Sequence, residues 1–278
     1  MKYPRLLSCW VGILSTPFFA LTGLAQEPLS NAQATLPTGG QVAAHINSRD
    51  EGEAVSRKLS IVMRDKRGKT RKRETMSYRK YYAGEKRTVI FYLAPKNIRD
   101  TAFLTYDYNT PEREDDQWLY LPALRKVRRI SAADRGDYFL GTDMTYEDIK
   151  LETRVSTADF NFKTVGNCDV DGHPGLHIEG TPKTQAIARE LGYSKSLSCV
   201  DRQIWMVRQS QFWDIKGALL KTVTIANIDQ IQGIWTQQNI NVENHKTGHS
   251  TSLSFAEVDY QSPVPDTMFT TNAIKRGL

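Results

Sequence analysis

From Leu59 onward, apolar residues recur at every second position, and turn signals break the run at short intervals. Leu59, Ile61 and Met63 alternate with Ser60, Val62 and Arg64, and Lys66-Arg67-Gly68-Lys69 then turns the chain back. The return run over 70–82 puts Met76 and Tyr78 on one face. Further strands are predicted over 88–93, 101–108, 117–121 and 126–130, divided by Ala94-Pro95-Lys96-Asn97, Asn109-Thr110-Pro111 and Pro122. Residues 131–157 interrupt the pattern with Gly136 and Gly141 and read as a loop with one or two helical turns. Strands resume over 160–165, 176–179, 196–199, 203–213, 218–228, 235–243 and 250–258. Helix signals are few; the clearest follows Thr38, where Val42 and Ile46 lie four apart within 41–49.

Many short strands without intervening long helices predict a meandering antiparallel sheet. A twisted sheet of ten or more strands must curl, and these helices are too few to cover a flat one. The expected fold is mainly β: an unclosed antiparallel barrel, with short helices over its open side and an apolar concavity inside.

The N-terminus bounds where such a barrel works. Lys2 and Arg5 precede an apolar run from Leu6 to Leu24 that contains Pro17 and ends in Gly23-Leu24-Ala25, the pattern of a cleaved secretory leader over 1–25. Cys9 lies before most of the apolar run, a poor place for lipid attachment. A loose lead-in over 26–39, with Pro28 and Pro37, then gives way to one domain over 40–278. Loss of Lys2 and Arg5 lowers the net charge from +6 to +4. Mild basicity in an exported chain favours acidic surfaces such as lipid headgroups over nucleic acid. Cys168 and Cys199 remain, and in an oxidising compartment a disulfide between them is expected, with two buried thiols as the alternative.

A search for chemistry returns little. His173 and His177, like His245 and His249, are four apart, but Pro174, Gly175 and Gly248 oppose a helix and no third ligand follows, so no metal site is expected. Nucleophile elbow, phosphate loop and Cys-x-x-Cys motifs are missing, and no cofactor is expected. Glu112, Glu114, Asp115 and Asp116 are bunched in one polar connection, unlike a separated acid and base. Basic residues crowd two hairpins: Arg64, Lys66, Arg67, Lys69, Arg71, Lys72 and Arg73 in one, Arg125, Lys126, Arg128 and Arg129 in the other. They read either as edge protection or as docking surface for an acidic partner.

The pair Phe103-Leu104-Thr105-Tyr106 and Trp118-Leu119-Tyr120-Leu121-Pro122, the basic run 125–129 and above all Gly141-Thr142-Asp143-Met144-Thr145-Tyr146-Glu147-Asp148 carry a resemblance. With 192–195, Asp214 to Gly217 and Leu220-Lys221-Thr222, they resemble the periplasmic outer-membrane lipoprotein-sorting protein family, related to the carrier LolA and the receptor LolB. The resemblance implies an unclosed barrel of roughly eleven strands whose interior accepts acyl chains. It further implies a lipid or lipoprotein carrier or chaperone in the periplasm, not an enzyme. The alternative is an accessory or sensor protein docking on a transporter of the resistance-nodulation-division type.

For the carrier, the expected cavity wall is Leu59, Ile61, Met63, Met76, Tyr78, Val89, Phe91, Leu104, Tyr106, Trp118, Tyr120, Met206 and Phe212. A slip of one residue would invert any strand's contribution to it. For the docking protein, Arg125, Arg128 and Arg129 are the contact residues. A monomer is expected in either case. The segment 141–148 is expected to shape the structure that closes the open side, so substitution of Asp143 or Tyr146 should affect stability before binding.

Overall fold

A computed structural model of the chain describes residues 36–110 and 113–278. The proposed leader and most of the lead-in, together with Glu112, lie outside the described residues. Residues 36–278 form one compact unit.

The strands are β1 (Ala54–Arg64), β2 (Thr70–Tyr82), β3 (Glu85–Ala94), β4 (Ala102–Tyr108), β5 (Asp116–Leu121), β6 (Lys126–Arg129), β7 (Phe160–Val170), β8 (His173–Pro182), β9 (Tyr193–Asp201), β10 (Val207–Asp214), β11 (Leu219–Ile231), β12 (Ile234–Asn244) and β13 (His249–Asp259). Every segment predicted as a strand overlaps one of these, and the sheet has thirteen strands where the resemblance implied about eleven. The order is β6-β5-β4-β3-β2-β1-β13-β12-β11-β10-β9-β8-β7, antiparallel throughout. Its two edges, β6 and β7, are unpaired with each other, so the barrel does not close.

This order explains the interruption at 131–157. The chain leaves the sheet at one edge and re-enters at the other, so the connection must cross the concave side. It does so as a 3-10 turn at Phe139–Gly141 followed by helix α2 (Tyr146–Leu151). Thr145 caps α2 in a reciprocal box with Asp148, satisfying two otherwise orphaned amides. Phe139, Met144, Tyr146 and Ile149 then pack onto Leu59, Ile61, Met63, Ile90, Phe103 and Leu253 to form the main core.

Helix α1 (Gly39–Asn47), capped by Thr38 with Gln41, covers the β7–β9 end of the same concave side. Val42 and Ile46 pack there against Leu176, Ile178 and Val200. A Cβ on Gly39 would lie 2.3 Å from the backbone of Phe162, so only glycine lets this helix start so close to β7. Two helices have no counterpart in the sequence reading: α3 (Gln185–Leu191) and α4 (Thr271–Arg276). With Val264 and Phe269, α4 covers the convex side of β3–β5, giving the sheet a second apolar layer. No described helix is long and apolar enough to cross a membrane.

Candidate functional site

Strand pairing divides the thirteen expected cavity residues between two faces. Leu59 pairs with Thr75 and Ser77 with Ile90, so Met76 and Tyr78 point away from the face that holds Leu59. The alternation carries across β3, β4 and β5. Tyr78, Val89, Phe91, Leu104, Tyr106, Trp118 and Tyr120 therefore pack on the convex side against Val264, Phe269 and Ile274, and the Tyr106 hydroxyl donates to the Phe269 carbonyl at 2.5 Å. Met76 shares that face. Leu59, Ile61 and Met63 are concave but lie in dense core beneath α2. Met206 and Phe212 line an apolar cavity on the concave side, while Phe91 borders a separate pocket beside Arg99 and the C-terminal Gly277 and Leu278. The expectation of a single wall thus gives way to two layers, because a period of two cannot say which face is covered when both are apolar.

The cavity, about 130 Å³, lies on the concave side between the C-terminal end of α2, the following loop and strands β9–β12. Leu191, Tyr193, Met206, Phe212, Val223 and Ile225 line it, with Phe160 and Phe162 from β7. Space exists there because Ser196, Ser198 and Ser210, all buried, stand where the rest of the concave face has larger side chains. The hydroxyls of Ser198 and Ser210 satisfy each other at 2.7 Å, leaving mainly carbon exposed to the cavity. In sequence, Ser196-Leu197-Ser198 reads as polar outside and apolar inside; the sheet has it the other way round, so these serines were missed.

The segment 141–148 forms the upper rim. Asp143, buried, accepts from the Thr251 hydroxyl at 2.7 Å, and its carboxylate lies 2.5 Å from His249 Nδ1. Lys221, wholly buried on β11, donates to the Asp143 carbonyl at 3.2 Å and to the Asp148 carboxylate at 2.5 Å, and the Tyr193 hydroxyl reaches the same carboxylate. One lysine thus ties the start of the lid to the cavity wall. Lys221→Met should leave the part-buried Asp148 without its cation and lower unfolding free energy by about 3 kcal/mol, read as a shift in urea midpoint.

The opposite end of the concavity is charged, which the sequence pattern did not predict. Arg57 and Arg79, both buried, meet the Glu152 carboxylate just after α2, with Arg79 Nη1 at 3.0 Å. Burial would raise the Glu51 carboxyl, but Arg79, Lys86 and hydrogen bonds from Thr153 and Tyr81 outweigh it and hold the pKa at about 2. Lys86 donates to the Lys150 carbonyl at 2.8 Å and pairs with Asp107 at 3.1 Å. Arg135 holds Asp159 through two bonds of 3.0 and 2.9 Å and Glu190 at 3.0 Å. Beside Asp107, Lys150 and the Arg135–Asp159–Glu190 cluster opens a second, polar cavity of about 790 Å³, bounded by the β4–β5 connection, α2 and the 154–159 loop. Asp115, expected in a solvated loop, instead pairs with buried Lys150.

The remaining expected residues lie outside both cavities. Arg128 pairs with Asp134 at 3.1 Å and Arg129 with Asp116 at 2.6 Å on the exposed edge strand β6, and Arg125 precedes them in a left-handed turn. Cys168 and Cys199 are disulfide-bonded with Cα atoms 5.9 Å apart, joining β7 to β9. His177 lies beside them, the one grouping among the described residues with metal-ligand spacing, but its sulfurs are already spent on each other.

An unclosed antiparallel barrel with a helical lid across its concave side defines the class. A family model described as "Uncharacterized protein" matches residues 84–276, and the chain belongs to that family. Among solved structures, a "putative outer membrane lipoprotein-sorting protein domain" from Vibrio parahaemolyticus is similar at 27% identity and a TM-score of 0.77, covering 86% of this chain and 98% of that one. A DUF1329 family protein from Desulfovibrio piger is similar at 25% identity and a TM-score of 0.77, covering 85% and 97%. A LolA superfamily protein from Nitrosomonas europaea shares the fold at 20% identity and a TM-score of 0.63, covering 85% and 99%. No curated protein matches the chain. The fold is therefore that of the LolA and lipoprotein-sorting superfamily.

Proposed function

We propose that the chain is a periplasmic carrier or chaperone that holds an acyl chain of a lipid or lipoprotein in the apolar cavity beneath its lid. The observation that carries this reading is the cavity itself: mainly carbon-lined space kept open by three buried serines, beside a concave core that is filled beneath α2. Each methylene transferred there contributes about 0.8 kcal/mol, so four are worth roughly 3 kcal/mol without covalent chemistry. The similarity to a structure described as a "putative outer membrane lipoprotein-sorting protein domain" supports the same reading, as does the leader-like pattern over 1–25.

The role is binding and release, not turnover. Release follows from movement of the 145–156 lid or from a receptor of higher affinity. A second reading, docking on a transporter of the resistance-nodulation-division type, draws on one surface feature: Leu124 is 62% exposed beside Arg125 and Lys126 at the sheet edge. It is compatible with carriage, since a carrier must meet its donor.

Native mass spectrometry of the protein purified gently from periplasm tests the carrier reading. A co-purifying lipid or lipopeptide, replaceable by fluorescent fatty acid, is the expected result. Repeated isolation of empty protein that also refuses fatty acid would refute it.

A further inference from the structure

The apolar and polar cavities are neighbours. They share Glu147, Leu151, Arg154, Val155 and Ser156, so the end of the lid is the partition between a carbon-lined chamber and a charged one. An amphiphile with its chain in the first would present its headgroup to the second. What the second chamber lacks identifies that headgroup.

Most of its charges are matched within the protein: Asp107 with Lys86, Asp115 with Lys150, and Asp159 and Glu190 with Arg135. Two buried side chains are left with unmet acceptors. Glu147, 3% exposed, pairs with Lys150 through Oε1 and leaves Oε2 without a partner, while Gln117, 4% exposed, has an unpartnered Oε1. The Lys150 ammonium has donors for both acids: it lies 2.8 Å from Glu147 Oε1 and also bonds Asp115, while Arg135 is 4.0 Å from the same Glu147 oxygen. A buried acceptor left unmatched keeps the full cost of its desolvation, so this chamber is built to receive a donor. Burial accordingly raises the Glu147 carboxyl, an effect that Lys150 only partly offsets. On the same partition, Arg154 Nε lies 3.4 Å from Glu51 Oε2 without a hydrogen bond, and Lys183 on the rim makes no ion pair among the described residues.

We infer that the polar chamber is a headgroup site for an ammonium-bearing phospholipid, with Glu147 and Gln117 accepting from the ammonium and Arg154 with Lys183 facing the phosphate. Glu147 is then a specificity residue rather than a structural one. The inference rests on the carrier reading above, but its test separates the two.

Delipidated protein is loaded with a fluorescent fatty acid, which is then displaced by lysophosphatidylethanolamine or lysophosphatidylglycerol of identical chain length. The ethanolamine lipid should displace the probe at about tenfold lower concentration. In Glu147→Gln that preference should vanish, with both lipids displacing the probe at the same concentration, while circular dichroism and the thermal midpoint show that the variant is folded. Gln117→Leu should weaken the preference in the same direction. Equal displacement by both lipids in the unaltered protein, or a preference that survives Glu147→Gln, overturns the headgroup site and leaves the carrier standing. Failure to take up the fatty acid at all overturns both.

Discussion

Replacing Glu152 by glutamine is expected to cost about 3–5 kcal/mol of unfolding free energy, among the largest losses available from one near-isosteric change. Its carboxylate is the partner of both Arg57 and Arg79, whose side chains are 6% and 3% exposed. Removing the charge leaves two buried guanidinium groups beside each other, with Tyr260 and Glu51 as the remaining compensation. The backbone adds to the effect. Glu152 sits at φ +54, in the region that favours glycine, and terminates α2 there because its side chain is held by the arginines. Glutamine keeps the volume but not the charge, so the unfavourable φ remains without its compensation. Urea unfolding at neutral pH checks this: the midpoint should fall sharply at constant slope. A shift below 1 kcal/mol would mean that the charged end of the concavity does not fix the lid.

The second large effect concerns binding. Ser198→Ala combined with Ser210→Phe fills the cavity at its narrow wall and removes the hydroxyl pair together, so neither hydroxyl is left buried without a partner. Excluding two methylenes of a bound chain costs about 1.6 kcal/mol, and excluding four about 3 kcal/mol. Fatty-acid affinity should therefore fall between about tenfold and a hundredfold. Thermal stability should stay close to that of the unaltered protein, because the ring enters existing space. Unchanged affinity with an intact fold would place the chain somewhere other than between β9 and β12.

The sheet was legible because its period of two, its Gly- and Pro-bearing turns and the break at 131–157 are local properties of the chain. Its curvature followed from strand count alone. The cavity was not legible, for two physical reasons. Alternation identifies two faces but not which one is covered, and here α4 and Phe269 bury the aromatic face of β3–β5 that looked most like a lipid wall. The actual space is made by serines, whose polarity marks them as outward-facing in any pattern reading, yet Ser198 and Ser210 are buried and satisfied by each other. The charged interior was hidden for a related reason. Arg57, Arg79 and Lys86 sit in strands where lysine and arginine normally face water, and their acids arrive from other segments, Glu51 before β1, Asp107 on β4 and Glu152 on the lid. The segment 141–148 was read correctly as a closing structure from resemblance. Its anchors, Lys221, His249 and Thr251, became visible only once β11 and β13 were placed beneath it.

The central claim is that an acyl chain lies on the concave side, under the lid, and not against the aromatic convex layer. Photo-crosslinking with a fatty acid bearing a diazirine near its terminal methyl, followed by peptide mapping, tests it directly. Labelling is predicted at Met206, Phe212, Val223 and Ile225, and loss of that labelling in the Ser198→Ala, Ser210→Phe variant. Labelling at Tyr106, Trp118 or Tyr120, beneath α4, would contradict the account.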